Sequence, residues 1–153
     1  MEPRFVDRPA FSVMGVVAHG TPDRIDFHAL WENGYMPHDA LVKPLSLDHA
    51  YYGAWLASGE DGVPDYLAGM AVADDAVPPA GLSVRRVPAA RYAVFECTLK
   101  TIGQTYGHVY QDWLPRSRYE YADGCSDFEY YPPDMKDGAP TFVYVPVRER
   151  RGR

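Results

Sequence analysis

The chain has only two cysteines in 153 residues, no apolar stretch approaching the ~20 residues a spanning helix requires, and no excess of basic side chains. Cys97 and Cys125 lack CxxC spacing, so they read as small core hydrophobes and not as a redox pair or a disulfide framework. The start, Met1-Glu2-Pro3-Arg4, has no basic-then-apolar pattern. No secretory signal and no transmembrane segment are expected, which makes the cytoplasm the expected location. The net charge is −6, and the positive charge gathers late: Arg148, Arg150, Arg151 and Arg153 lie in the tail with Glu149, leaving the body ahead of them at −9. A phosphate surface would repel that body, so no direct nucleic-acid binding is expected. His19, His28, His38, His49 and His108 show no HxH or HExxH spacing, and the sequence lacks a Walker loop, a G-x-S-x-G elbow and a dinucleotide fingerprint. Neither a metal nor a cofactor is expected.

What is present is aromatic. Twelve tyrosines, six phenylalanines and three tryptophans stand in a chain of 17.2 kDa, which is long enough for one self-sufficient core. Tyrosine outnumbers phenylalanine two to one. Such a bias suits the wall of a partly wet site for a flat ligand, and equally suits strands, where aromatics are enriched anyway.

Along the chain, Phe11 to Gly20 reads as a buried strand. Thr21-Pro22-Asp23 offers a cap, a proline at the first helical position and an acid on the positive end of the dipole, with Phe27, Leu30, Trp31 and Gly34 at helical spacing and Gly34 as the expected stop. Two strands follow, Ala50 to Leu56 and Tyr66 to Ala73, joined by Ser58-Gly59-Glu60-Asp61-Gly62. Ala76 to Gly81, with Pro78-Pro79, reads as a linker at the midpoint. The order then recurs. Arg91 to Leu99 is a strand, and Thr101 opens a helix with a stripe of Ile102, Tyr106, Val109, Tyr110 and Trp113 that Pro115 stops. Gly103 and Gly107 weaken that helix, for close packing or for adjustability. Asp127 to Tyr131 and Thr141 to Arg148 form a second hairpin, turning near Pro132-Pro133 and Asp137-Gly138.

The expected fold is therefore α+β: a duplicated β-α-β-β unit over roughly 5–77 and 82–148, forming one six-stranded antiparallel sheet with two helices on one face and a central cleft between them. Trp31 and Trp113 are expected to correspond by symmetry.

Most charges fall in turns, and Arg85-Arg86 reads as solvated charge. Glu129 differs because it stands inside the aromatic strand Phe128-Glu129-Tyr130-Tyr131. Superposing the halves lays that strand on Tyr52-Gly53-Ala54-Trp55, so Gly53, without a side chain, answers Glu129. A carboxylate walled by tyrosine and tryptophan would hold an organic cation through its charge and the negative ring faces. The plain alternative is a glutamate on an edge strand pointing into water. Glu96, the other carboxylate within a strand, has fewer aromatic neighbours.

Several segments together resemble a known family: Phe11-Ser12-Val13-Met14-Gly15, Tyr66-Leu67-Ala68-Gly69-Met70, Val87-Pro88-Ala89-Ala90-Arg91-Tyr92-Ala93-Val94-Phe95, Trp113-Leu114-Pro115-Arg116-Ser117-Arg118-Tyr119-Glu120, Phe128-Glu129-Tyr130-Tyr131 and Val145-Pro146-Val147. The family is the GyrI-like small-molecule-binding domain, also described as the effector-binding domain of AraC-type transcription activators. The resemblance implies the duplicated fold, an aromatic cavity for bulky lipophilic cations and a buried glutamate, which maps to Glu129. Family members are often fused to a helix-turn-helix domain; with ten residues ahead of the first strand read here, a stand-alone binding protein without direct transcriptional control is expected. Two further implied readings are a hydrolase of electrophilic cyclopropane-type compounds with Glu129 as general base, and a protein-interaction module such as a gyrase inhibitor. The candidate ligand site comprises Glu129, Tyr51, Trp55, Tyr92, Trp113, Tyr131 and Tyr144.

Overall fold

A computed structural model describes residues 2–59, 61–133, 136 and 138–151; Met1, Glu60, Asp137 and Arg153, which the sequence places in the start, two turns and the tail, lie outside them. Among the described residues there are nine strands: β1 Arg4–Arg8, β2 Phe11–His19, β3 Tyr51–Ala57, β4 Pro64–Val72, β5 Ser83–Val87, β6 Ala90–Cys97, β7 Tyr119–Tyr121, β8 Phe128–Tyr131 and β9 Thr141–Glu149. They form one antiparallel sheet in the order β1-β6-β9-β8-β3-β4-β2-β5, with β7 added on β9. The α+β class holds, and the strand count is nine where the sequence suggests six. The extra strands are short, and the two at the edges are charged: β1 is RFVDR and β5 is SVRRV. Charge on an edge strand blocks pairing with other chains and also hides the strand from hydrophobic pattern reading. Arg85 and Arg86 are not simply solvated, since they pair with Asp65 at 3.0 Å and Asp74 at 2.7 Å.

The strand order is unchanged when β1 exchanges with β5, β2 with β6, β3 with β8 and β4 with β9. Each leading strand crosses over: β1 pairs with β6, and β5 pairs with β2. Pro9-Ala10 and Pro88-Ala89 thus tie opposite ends of the sheet with two-residue links. The sheet has to curl. Phe11 of β2 meets Phe128 of β8 at 5.4 Å although two strands lie between them. The inside of the curl is a core of Val13, Tyr52, Leu67, Tyr92, Phe128 and Tyr144 that involves no helix.

Both helical segments pack on the other face, each over its own cluster. The first runs from Phe27 to Leu45 as α1 Phe27–Ala29, a π-turn Leu30–Tyr35, a 3-10 turn Met36–His38, α2 Asp39–Val42 and a second 3-10 turn Lys43–Leu45. Asp26, and not Thr21, caps it, accepting from the Ala29 N–H at 3.0 Å. Gly34 does not stop it, because Pro37 and Pro44 sit in the first turns of new 3-10 pieces, where no N–H is needed. The second segment starts with a 3-10 turn Leu99–Thr101, held by reciprocal bonds between Thr98 and Thr101, and continues as α3 Ile102–His108, a π-turn Val109–Trp113 and α4 Leu114–Arg116. No helix among the described residues is long and apolar enough to cross a membrane.

Candidate functional site

Between the helical segments, over β3 and β8, lies a cavity of about 1450 Å3. Glu129 occupies its floor. It is 5% exposed, and its register partner across the β3–β8 pair is Gly53. A Cβ on Gly53 would run into the Tyr66 hydroxyl and lie 2.5 Å from Glu129 Oε1. The missing side chain is what allows the carboxylate and a tyrosine from the next strand to meet.

Three tyrosines donate to Glu129. Tyr66 of β4 reaches Oε1 at 2.7 Å, Tyr131 of β8 reaches Oε1 at 2.9 Å, and Tyr106 of α3 reaches Oε2 at 2.7 Å. The Tyr66 oxygen itself accepts from Trp31 Nε1 at 3.3 Å, so its own proton is directed at the carboxylate. Burial raises the Glu129 pKa, the three hydroxyl bonds oppose the rise, and Asp127 adds to it. The same burial, with Glu129 nearby, pushes Tyr66, Tyr106 and Tyr131 well above the usual phenol value. The tyrosines stay neutral donors. Three donors converging on two oxygens suit a carboxylate and leave little room for a carboxyl proton.

Each helical segment contributes an aromatic pair spaced i, i+4 to the cavity, Phe27 with Trp31 and Tyr106 with Tyr110. In each pair the second residue stands one position into the π-turn. An inserted residue of this kind shifts the face presented by all that follows, and such turns are frequent at functional sites. Tyr110, and not Trp113, is therefore the positional counterpart of Trp31. Trp31 stands edge-on to Tyr51 and Tyr131, Trp55 leans on Tyr66 at 4.8 Å, and Tyr106 and Tyr110 are parallel within 3° at 6.4 Å.

Of the residues singled out from the sequence, Glu129, Tyr51, Trp55 and Tyr131 are brought together here. Tyr92 and Tyr144 are not, because strand alternation places them with Phe128 inside the curl. Trp113 is spent on packing α4 and β7 to the sheet against Phe5, Phe95 and Tyr119. Sequence reading passes over Tyr66, Tyr106, Tyr110, Phe27 and Trp31 as packing residues, and over Asp127 and Tyr121 altogether. One signal for Asp127 was present: it stands two residues before Glu129, on the same side of the strand. Its carboxylate accepts from Tyr121 at 3.1 Å and Tyr110 at 3.2 Å, and burial raises its pKa. Gly103 and Gly107 have no neighbour within 4 Å of an added Cβ, so close packing is not what places them.

Glu32, Asp61, Asp127 and Glu129 line the cavity with His28, and none of its described lining residues is lysine or arginine. Among the described residues no cluster of His, Cys, Asp or Glu has the geometry to hold a metal ion.

Comparison with known proteins agrees with this architecture. Residues 1–148 match the GyrI-like small molecule binding domain. The chain is 32% identical over 133 residues to the transcriptional regulator BrlR of Pseudomonas aeruginosa, covering 86% of this chain and 48% of that one; it spans about half that regulator's length. In structure it resembles SAV2435, solved bound to tetraphenylphosphonium, with a TM-score of 0.77 at 18% identity over 97% of this chain and 94% of that one. It also resembles a hydrolase from Listeria innocua, with a TM-score of 0.56 at 11% identity over 96% and 92% of the two chains. The family match over nearly the whole chain and the regulator's identity together show that this protein belongs to the GyrI-like small-molecule-binding domains.

Proposed function

We propose that the cavity captures bulky lipophilic cations, with Glu129 supplying the countercharge and the surrounding rings the contact surface. The observation that carries this reading is a carboxylate 5% exposed that has three phenolic donors and no cationic partner among the described residues. Tyrosine hydroxyls partly offset the cost of burying the charge without cancelling it. A cation entering over the rings meets an unneutralised charge in a place water has largely left, where a charge contact and a cation–π contact together are worth about 2 to 4 kcal/mol. The similarity to a protein solved with tetraphenylphosphonium supports the same ligand class.

The test uses tetraphenylphosphonium and neutral triphenylphosphine oxide in calorimetric titrations. The cation is expected to bind in the micromolar range and the neutral compound less tightly. Glu129→Gln, which keeps the shape, should weaken the cation by about tenfold to a hundredfold, or 1.4 to 2.8 kcal/mol. Equal affinity for both compounds, or a Glu129→Gln protein that binds the cation as before, would overturn the reading.

A second reading, hydrolysis of electrophilic compounds with Glu129 as general base, draws on the raised pKa of this carboxylate. The geometry favours it less: a carboxylate has about four acceptor positions, and the tyrosines take three. Turnover of a cyclopropane-bearing alkylator that vanishes in Glu129→Gln would support catalysis, and no turnover by the wild type would dismiss it.

A further inference from the structure

Glu129 has a second carboxylate beside it in the same cavity. Asp127 stands two residues earlier, immediately ahead of β8; its carbonyl accepts from the Trp55 N–H at 3.0 Å, which extends the β3–β8 pairing by one bond, and its side chain lines the cavity. Residues two apart on a strand are separated by about 7 Å. On the facing wall, Tyr106 and Tyr110 are four apart in the helical segment and so separated by about 6 Å. The two spacings match, and the bonds follow the match: Tyr106 donates to Glu129 and Tyr110 donates to Asp127. Each carboxylate has further tyrosines of its own besides, two for Glu129, Tyr66 and Tyr131, and one for Asp127, Tyr121. The parallel rings of Tyr106 and Tyr110 span the interval between the two acids. Like Glu129, Asp127 forms no ion pair among the described residues.

Resting on the cation reading above, we infer that Asp127 is a second cation subsite about 7 Å from the first, and that the cavity takes flat aromatic dications in preference to monocations. A single lipophilic cation over Glu129 leaves the Asp127 charge unanswered. A rigid ligand with charged ends one strand repeat apart answers both, while its rings lie against the tyrosine pair. The tyrosines do more here than fill space: each holds its carboxylate as a neutral donor, so neither acid acquires an internal counterion that a ligand would have to displace.

The experiment compares 1,1'-dimethyl-4,4'-bipyridinium with N-methyl-4-phenylpyridinium, two flat molecules of nearly equal shape that carry two charges and one. Calorimetric or tyrosine-fluorescence titration of the full chain should show the dication binding about tenfold or more tightly, as a second close charge contact in a partly dry site predicts. Asp127→Asn should bring that ratio to within about twofold, its loss falling mainly on the dication, and Glu129→Gln should weaken both. Inserting a phenylene ring between the two pyridinium rings, tested on the wild type alone, should remove most of the preference, which keeps the test decisive if Asp127→Asn folds poorly. Equal wild-type affinities, or a preference that survives both Asp127→Asn and the longer spacer, would refute the second subsite. That result would leave the cation reading standing so long as monocation binding depends on Glu129. Failure of both compounds to bind would overturn the two together.

Discussion

Gly53 is the position where one methyl group should do the most damage. An alanine there places its Cβ against the Tyr66 hydroxyl and 2.5 Å from Glu129 Oε1, and neither neighbour can yield freely. Tyr66 is fully buried, wedged between Phe27 at 5.0 Å and Trp55 at 4.8 Å. Glu129 is held by two other hydroxyls. Overpacking a tight site costs about 1 to 3 kcal/mol, and separating Tyr66 from a charged acceptor costs about 1.5 to 3 kcal/mol more. For a domain of this length each kcal/mol lowers the melting temperature by about 2 to 4 °C. Gly53→Ala should therefore melt roughly 10 °C early and lose cation affinity, since Glu129 can no longer keep its position. Calorimetric melting with and without tetraphenylphosphonium measures both effects. In the double variant with Glu129→Gln, part of the penalty should disappear, giving a coupling of about 1 kcal/mol or more for residues in direct contact. A Gly53→Ala protein that melts within about 2 °C of wild type and binds the cation normally would refute the contact at the base of the site.

Gly107→Ala is the counterpart: nothing lies within 4 Å of the added Cβ, so it should stabilise the second helix by about 1 kcal/mol, visible as a higher melting temperature. Cation affinity should rise with pH as Glu129 ionises through its raised pKa and then level off, and in Glu129→Gln the rise should shrink to what Asp127, whose pKa burial also raises, contributes. The stability sign is the reverse. A carboxyl whose folded pKa is raised favours the fold most below its unfolded value of about 4.3 and loses that contribution as pH rises through the folded value, so above it Glu129→Gln should melt later than wild type. His19 bonds Asp65 at 2.8 Å and Asp61 at 3.2 Å, and those bonds raise its pKa. Below pH ~6.5 the imidazolium donates to both acids, and above the raised value one donor is gone. The amide of Val63, which donates to Asp61 at 3.0 Å, should then lose hydrogen-exchange protection relative to intrinsic rates as pH rises, and should show no such step in His19→Gln.

The central strands were legible because they are buried on both faces: β4 is uninterrupted apolar sequence after Asp65. β1 and β5 were not, since short charged edges look like loops. Glu129 stood out because a charge inside an aromatic strand is anomalous, and Gly53 because a vacancy faced it. The donors to Glu129 stayed hidden for a different reason. Tyr66 and Tyr106 sit on regular hydrophobic patterns, and nothing in a pattern says where a hydroxyl points. Trp113 was misplaced because matching the halves by residue type pairs the two tryptophans, whereas the residue that each π-turn presents to the cavity is its second, Trp31 in one segment and Tyr110 in the other.

The pairing of Gly53 with Glu129 sets a condition on how such a protein can be assembled. The two residues exchange places under the relation that leaves the strand order unchanged, so they straddle its axis. Two identical subunits meeting there would have to present the same residue twice. Two glycines would leave a cavity with no countercharge at its floor. Two glutamates, with Cβ atoms about 5 Å apart, would repel until one kept its proton, and neither would find the gap that Gly53 now leaves for Tyr66. A single carboxylate at the centre of a twofold arrangement is open only to a chain that contains both halves, because only there can one half keep the acid while the other gives up its side chain.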